Sequence, residues 1–286
     1  MEIIQAGRMP EIRRDQEHRE GAWYLRNIVT GTPGTVGNFI LTTSRTGDNF
    51  YSPRHHHNFD QFRYQLEGQQ DFSHTGKMLP GDLGYFPEGT YYGPQTCSEG
   101  SVTLVLQFGG ASGSGYLAQS EFPGAWAELK KTGRFEKGVY RTVLPDGQPR
   151  NVDGYQAVWE HLNGRPMEYP KQRYENPILM KPKNFSWVPA EGFPGVSEKL
   201  LGVFSERRTE ARFLKLSIGS RYTARGRSIY FVLHGSGTVG ADSYERWTTC
   251  VVERGEELPF IADQETEIMV LGLPKLQEPA LQIAAE

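Results

Sequence analysis

Apolar residues in this chain fall in short runs, several alternating with polar ones, broken again and again by glycine and proline. That is the pattern of half-buried β-strands joined by turns. The clearest runs are Asn38–Thr43, Gln61–Leu66, Val102–Phe108, Arg212–Ser217, Ser228–Leu233 and Ile268–Leu273. Strands at such intervals predict an all-β protein built as a sandwich or barrel. Two runs read as copies of one unit, because Phe62, Tyr64, Leu66 and Gly68 correspond in register to Ile229, Phe231, Leu233 and Gly235.

Between the two halves the pattern changes. Ser120–Gly133 carries a capping serine, an early proline, good helix formers, lysines near its end and a stopping glycine, which predicts one short helix. From about 145 to 195 prolines alternate with Tyr155, Trp159, Tyr169, Tyr174 and Trp187, too aromatic for a free linker, so this connector is expected to pack across both halves. The organisation expected is 1–115, 116–195 and 196–286.

The densest chemistry lies in Arg54–Gly68, RHHHNFDQFRYQLEG. In extended chain His55, His57 and Gln61 share one parity and face one side, while His56 faces the other. Gln61 facing inward brings Arg63 and Gln65 with it. An interior arginine needs an anionic partner, either a protein carboxylate such as Asp60, Asp71 or Glu88, or the carboxylate of a ligand. Tyr85, Tyr91 and Tyr92 are expected to add aromatic walls on the same side.

The run His55-x-His57, three residues, Gln61, six residues, Gly68 resembles the first motif of the cupin superfamily. Pro80–Gly93, with Gly81, Pro87 and Gly89 in place, resembles the second. The resemblance implies two tandem double-stranded β-helix (cupin, jelly-roll) barrels with a short helix and an aromatic-rich connector. It also implies a divalent metal (Fe, Mn, Ni, Cu or Zn) held by His55, His57 and Gln61, since imidazole suits all of these ions. The usual acidic ligand is replaced by Gln61, and the usual last histidine by Tyr92. Tyr92 is then a fourth ligand, a proton donor, or a hydrogen-bond partner of metal-bound water. Arg63 is the residue expected to orient substrate.

In the second half the positions of His55, His57 and Gln61 are occupied by Tyr222, Ala224 and Ser228, so that barrel is expected to hold no metal and to serve a structural or covering role. Two functions stay open. One is a metal-dependent bicupin acting on a small anionic or aromatic substrate, dioxygenase-like or a Lewis-acid isomerase or lyase. The other is a metal-free cupin that binds a small ligand or acts as a scaffold.

Composition narrows the partners. Of 286 residues, 31 are Lys or Arg and 34 Asp or Glu, a formal net charge of −3, which argues against nucleic acid or an anionic membrane surface. No apolar run approaches a membrane span. The start of the chain lacks signal-peptide character and Cys97 and Cys250 lie far apart, so a reducing cytoplasm and two buried free thiols are expected. The partner expected is a small molecule, and a homodimer is expected from the cupin resemblance alone. Gly109–Gly115 lacks the lysine and helix of a phosphate loop and reads as a flexible connector, and His74 reads as a solvated turn residue.

Overall fold

A computed structural model describes residues 1–14, 22–33, 35, 37–47, 49–113, 116–117 and 121–275. The chain divides into two compact units, Arg8–Phe185 and a second made of Met1–Gly7 with Ser186–Glu286. All six expected strands form, with small shifts at their ends. The fold is all-β, as expected.

In the first unit a seven-stranded antiparallel sheet runs in the order Ile178–Met180, Leu83–Phe86, Asp60–Glu67, Val102–Phe108, Phe39–Thr46, Trp23–Thr30, Ile12–Arg14. A four-stranded sheet of Tyr51–Ser52, Gln95–Cys97, Gln70–Asp71 and Lys77–Met78 accompanies it. The second unit repeats this plan. Its seven-stranded sheet has the order Glu2–Gln5, Thr248–Val252, Ser228–His234, Thr266–Gly272, Glu210–Leu216, Val196–Val203, Val188–Pro189, so Ser228–His234 holds the place of Asp60–Glu67. A four-stranded sheet again accompanies it, made of Arg221–Arg225, Glu257–Ala262, Gly237–Val239 and Asp242–Tyr244.

The two interiors differ in chemistry. In the second unit Tyr222, Ala224, Tyr230, Val232, Leu258, Phe260 and Ile268 close into one apolar core. Each buried side chain of that size contributes roughly 1.5–3 kcal/mol by leaving water, so the core sustains the unit without a ligand. In the first unit the matching strand buries Gln61, Arg63 and Gln65 instead.

The expected helix forms as α1, Phe122–Leu129, with Pro123 in its first turn. Ser120, the expected cap, lies outside the described residues. The helix stops short of Gly133, which opens the strand Gly133–Glu136, because Tyr140 and Thr132 take the carbonyl of Leu129 in hydrogen bonds of 2.8 and 3.3 Å. A second helix, α2, Gly154–Asn163, was not expected. Asp153 caps it by accepting from the backbone N–H of Tyr155 and Gln156, and Gly164 ends it in the left-handed region. A hairpin sheet of Gly133–Glu136, Val139–Val143 and Pro149–Asp153 precedes α2. Phe59, Phe122, Tyr155, Val158, Trp159 and Met167 pack as one cluster, so the connector as far as Phe185 belongs to the first unit. Trp187 belongs to the second, beneath the ammonium of Lys199 at 4.4 Å.

The repeat glycines Gly68 and Gly235 have φ of 68° and 96°, and a Cβ on Gly68 would meet the Cα of Ser101 at 2.9 Å. Left-handed backbone costs a residue with a Cβ about 1–2 kcal/mol before any clash. Gly68→Ala is therefore expected to lower the free energy of unfolding by at least about 2 kcal/mol, measured by urea denaturation. A change under about 0.5 kcal/mol would contradict the fold at this position.

Candidate functional site

Two backbone hydrogen bonds place the site's first wall. His55 N–H donates to the Tyr92 carbonyl at 3.1 Å and Tyr92 N–H to the His55 carbonyl at 3.0 Å, so the two motif segments cross at one bridge. The second wall is the strand Asp60–Glu67, whose Gln61, Arg63 and Gln65 side chains enter the interior. His55, His57, Gln61, Arg63 and Tyr92 are all buried, and they come together as the parity of the sequence requires. His56 faces the other way, stacked between Tyr91 and Tyr169 at centroid distances of 3.9 and 3.5 Å, and burial pulls its pKa below the usual imidazole value.

Arg63 organises the polar cluster. Its Nε and Nη2 donate to Gln61 Oε1 at 3.2 and 3.0 Å, Nη1 donates to Gln95 Oε1 at 3.0 Å, and Nη2 also donates to Tyr92 Oη at 2.8 Å. A guanidinium only donates, so Gln61 must turn its oxygen toward Arg63 and its Nε2 toward Tyr92 Oη, 3.3 Å away. The Tyr92 oxygen thus receives two N–H groups. Its own proton is left for His57 Nε2 at 2.9 Å, which must accept it. His55 is fixed separately, because Nδ1 lies 2.6 Å from the Pro53 carbonyl and so carries the proton, leaving Nε2 as the basic nitrogen. Phe86, Tyr92 and Phe72 hold their ring faces 4.5, 5.1 and 5.7 Å from the guanidinium carbon.

The carboxylates expected as partners of Arg63 are engaged elsewhere. Asp60 lies on the opposite face of its strand, accepting from Tyr85 Oη at 2.9 Å and the Glu88 backbone N–H at 2.8 Å. Asp71 pairs with Lys77 at 2.7 Å. Glu88 accepts from the backbone and hydroxyl of Ser112 at 2.8 and 2.6 Å, with Arg173 3.8 Å away. Two further expectations are corrected here. Tyr85 and Tyr91 do not join the wall, since Tyr85 turns to Asp60 and Tyr91 stacks on His56, leaving only Tyr92. The stretch 109–113 is anchored through Ser112 rather than loose, with Ser114 and Gly115 outside the described residues.

The interior opens into a cavity of about 100 Å³. One water occupies roughly 10–15 Å³ on this measure, so a molecule of several heavy atoms fits. Its lining combines polar side chains, His55, His57, Gln61, Arg63, Gln70 and Gln95, with aromatic ones, Trp23, Phe50, Phe59, Tyr116, Phe122 and Tyr155. Sequence reading missed the connector's share of this lining, because Tyr116, Phe122 and Tyr155 carry no motif. Burial raises the hydroxyl pKa of both Tyr116 and Tyr155 far above the usual tyrosine value, so they stay neutral walls. Among the described residues no Asp, Glu, Lys or Cys lines the cavity. It can bind an anion and exchange protons through its two histidines. Cys97 and Cys250 are both free, with Cys97 half-buried rather than buried. His74 is exposed in a 3-10 turn, as expected.

A divalent metal does not fit this arrangement. Among the described residues no three His, Cys, Asp or Glu side chains converge as a metal set. Of the four expected donors, the His57 nitrogen facing the cluster takes the proton of Tyr92, and Gln61 Oε1 accepts from Arg63 and from Gln107 Nε2 at 3.3 Å. An ion on that oxygen would sit about 5 Å from a guanidinium, a repulsion on the order of several kcal/mol even at an effective dielectric near 20.

No family model matches the chain, and no curated protein does. Solved structures do. A candidate dioxygenase from Nostoc punctiforme superposes with a TM-score of 0.60 at 12% identity, over 98% of this chain and 84% of that one. Oxalate decarboxylase from Bacillus subtilis, studied for its Mn(II) centres, superposes with a TM-score of 0.54 at 14% identity, over 96% and 78%. The same enzyme at pH 4.6 gives 0.55 at 14% identity, over 96% and 76%. Both proteins support the all-β, cupin-like fold over nearly the whole chain. No helix among the described residues is long and apolar enough to cross a membrane.

Burial pushes the Asp60 carboxyl up to about 7. A carboxyl raised from its unfolded value near 4 favours the folded state fully below that value, and the contribution is lost as pH rises through about 7. Stability should therefore fall between about pH 4 and 7 and level off above that, and Asp60→Asn, which mimics the neutral acid, should flatten that slope in denaturation curves. An unchanged slope would place the titration elsewhere.

Proposed function

We propose that the chain is a bicupin whose first barrel binds a small carboxylate on Arg63, with the guanidinium taking the place that a metal ion holds in metal-dependent cupins. The observation that supports this most is the state of Arg63. It is 8% exposed, and among the described residues no carboxylate lies within 4 Å of it. A buried charge with only neutral acceptors costs several kcal/mol unless an anion joins it. The contacts above use Nε, both Nη2 protons and one Nη1 proton, which leaves one Nη1 N–H for that anion. This is the metal-free alternative of the sequence reading, and it makes Arg63, His55, His57 and Gln61 the binding wall, with Tyr92 bonded to three of them from behind.

A metal-dependent enzyme is the second reading. His55 favours it, because its Nδ1–H on the Pro53 carbonyl orients Nε2 as metal-binding histidines require. The fold likeness to an Mn(II) enzyme favours it too. It requires Arg63 to leave Gln61 and Tyr92.

Titration calorimetry with acetate and propionate, using chloride as control, separates the two. Saturable carboxylate binding is expected in the native protein, weakened at least about tenfold by Arg63→Met and partly kept by Arg63→Lys. Elemental mass spectrometry of protein purified without a chelating column should find metal well below one per chain. One equivalent of metal with no carboxylate binding would overturn the proposal in favour of the second reading.

A further inference from the structure

Gln70 lines the same cavity from the smaller sheet and is 4% exposed. A relay of hydrogen bonds fixes its orientation. Gln65 Nε2 lies 2.6 Å from the Glu67 carbonyl, which can only accept, so Gln65 presents its oxygen to Thr103. The Thr103 hydroxyl then donates to Gln65 Oε1 at 3.1 Å and must accept from Gln70, whose Nε2 is 2.7 Å away. Gln70 therefore has its amide nitrogen on Thr103, and its Oε1 is left buried with no hydrogen-bond partner among the described residues. An acceptor held this way costs free energy unless something donates to it.

Trp23 supplies the converse. Its Nε1–H is buried and has no acceptor among the described residues, and Trp23 also lines the cavity. The walls thus offer a cation, an acceptor awaiting a donor, and a donor awaiting an acceptor. From these three we infer that the ligand is a small hydroxycarboxylate, its carboxylate on Arg63 and its hydroxyl donating to Gln70 Oε1. An amino group would also donate to Gln70. As an ammonium, however, it would bring a second cation into a wall that contains Arg63 and no Asp or Glu among the described residues. A hydroxyl is neutral, and its oxygen can also accept from Trp23. The cavity volume of about 100 Å³ admits an acid of three or four carbons.

The inference rests on the carboxylate reading, and its test separates the two. Native protein is titrated calorimetrically with propionate, 2-hydroxypropionate, 3-hydroxypropionate and alanine. At least one hydroxy acid should bind about tenfold tighter than propionate, and alanine should not gain. Gln70→Met, which keeps the volume and removes the acceptor, should bring the hydroxy acids down to the affinity that propionate shows on the same variant. If propionate and the hydroxy acids bind equally and Gln70→Met changes nothing, a water satisfies Gln70 and this inference is wrong while the carboxylate reading stands. If none of the four acids binds, the carboxylate reading has failed. The comparison of acids on native protein decides the matter even if the variant does not fold.

Discussion

Everything distinctive about the first barrel follows from one buried guanidinium. Arg63 enters the interior because its strand alternates and Asp60, Phe62 and Tyr64 take the other face. Once inside, it dictates the rotation of the Gln61 amide, and through it the direction of the Tyr92 proton and the protonation of His57. Three side chains are oriented by a group that can only donate. The same positive charge is the ground on which an anionic ligand is proposed, so the geometry of the site and the proposal drawn from it have one source.

The second barrel shows what the fold does without such a group. Ser228–His234 occupies the same place in its sheet, yet Tyr230 and Val232 fill the interior together with Tyr222, Ala224 and Phe260. That interior is packed and apolar, and needs nothing more. In the first barrel, amides, a guanidinium and imidazoles leave a cavity that side chains alone do not fill. Polar groups kept inside a barrel that can be closed with apolar ones are costly, and the cost is met when a ligand completes their hydrogen bonds.

The barrels were legible in the sequence because strand parity is a local property. Alternation placed His55, His57, Gln61 and Arg63 on one side, His56 on the other, and the Phe62 to Ile229 register foretold the matched sheets. Parity reports a face and not a partner. It therefore left Arg63 open to Asp60, Asp71, Glu88 or a ligand carboxylate, and the engagements of the three acids depend on Tyr85, Lys77 and Ser112 from other segments. Counting Tyr85 and Tyr91 with Tyr92 failed because Tyr85 stands opposite Phe62 on the other face of its sheet, and Tyr91 precedes the His55–Tyr92 bridge and turns to His56. Helix α2 had a local signal in Asp153 and Gly164, obscured by the prolines around it. The connector's share of the cavity lining had none, since Tyr116, Phe122 and Tyr155 come from outside both motifs.

The most direct measurement of the central claim is a high-resolution crystal structure of the protein grown in acetate, with an anomalous scan for transition metals. Planar density against Nη1 of Arg63, with His57 still on Tyr92 and no anomalous peak near His55, is the predicted result. An anomalous peak bound by His55 and His57, with Arg63 turned away from Gln61, would contradict it.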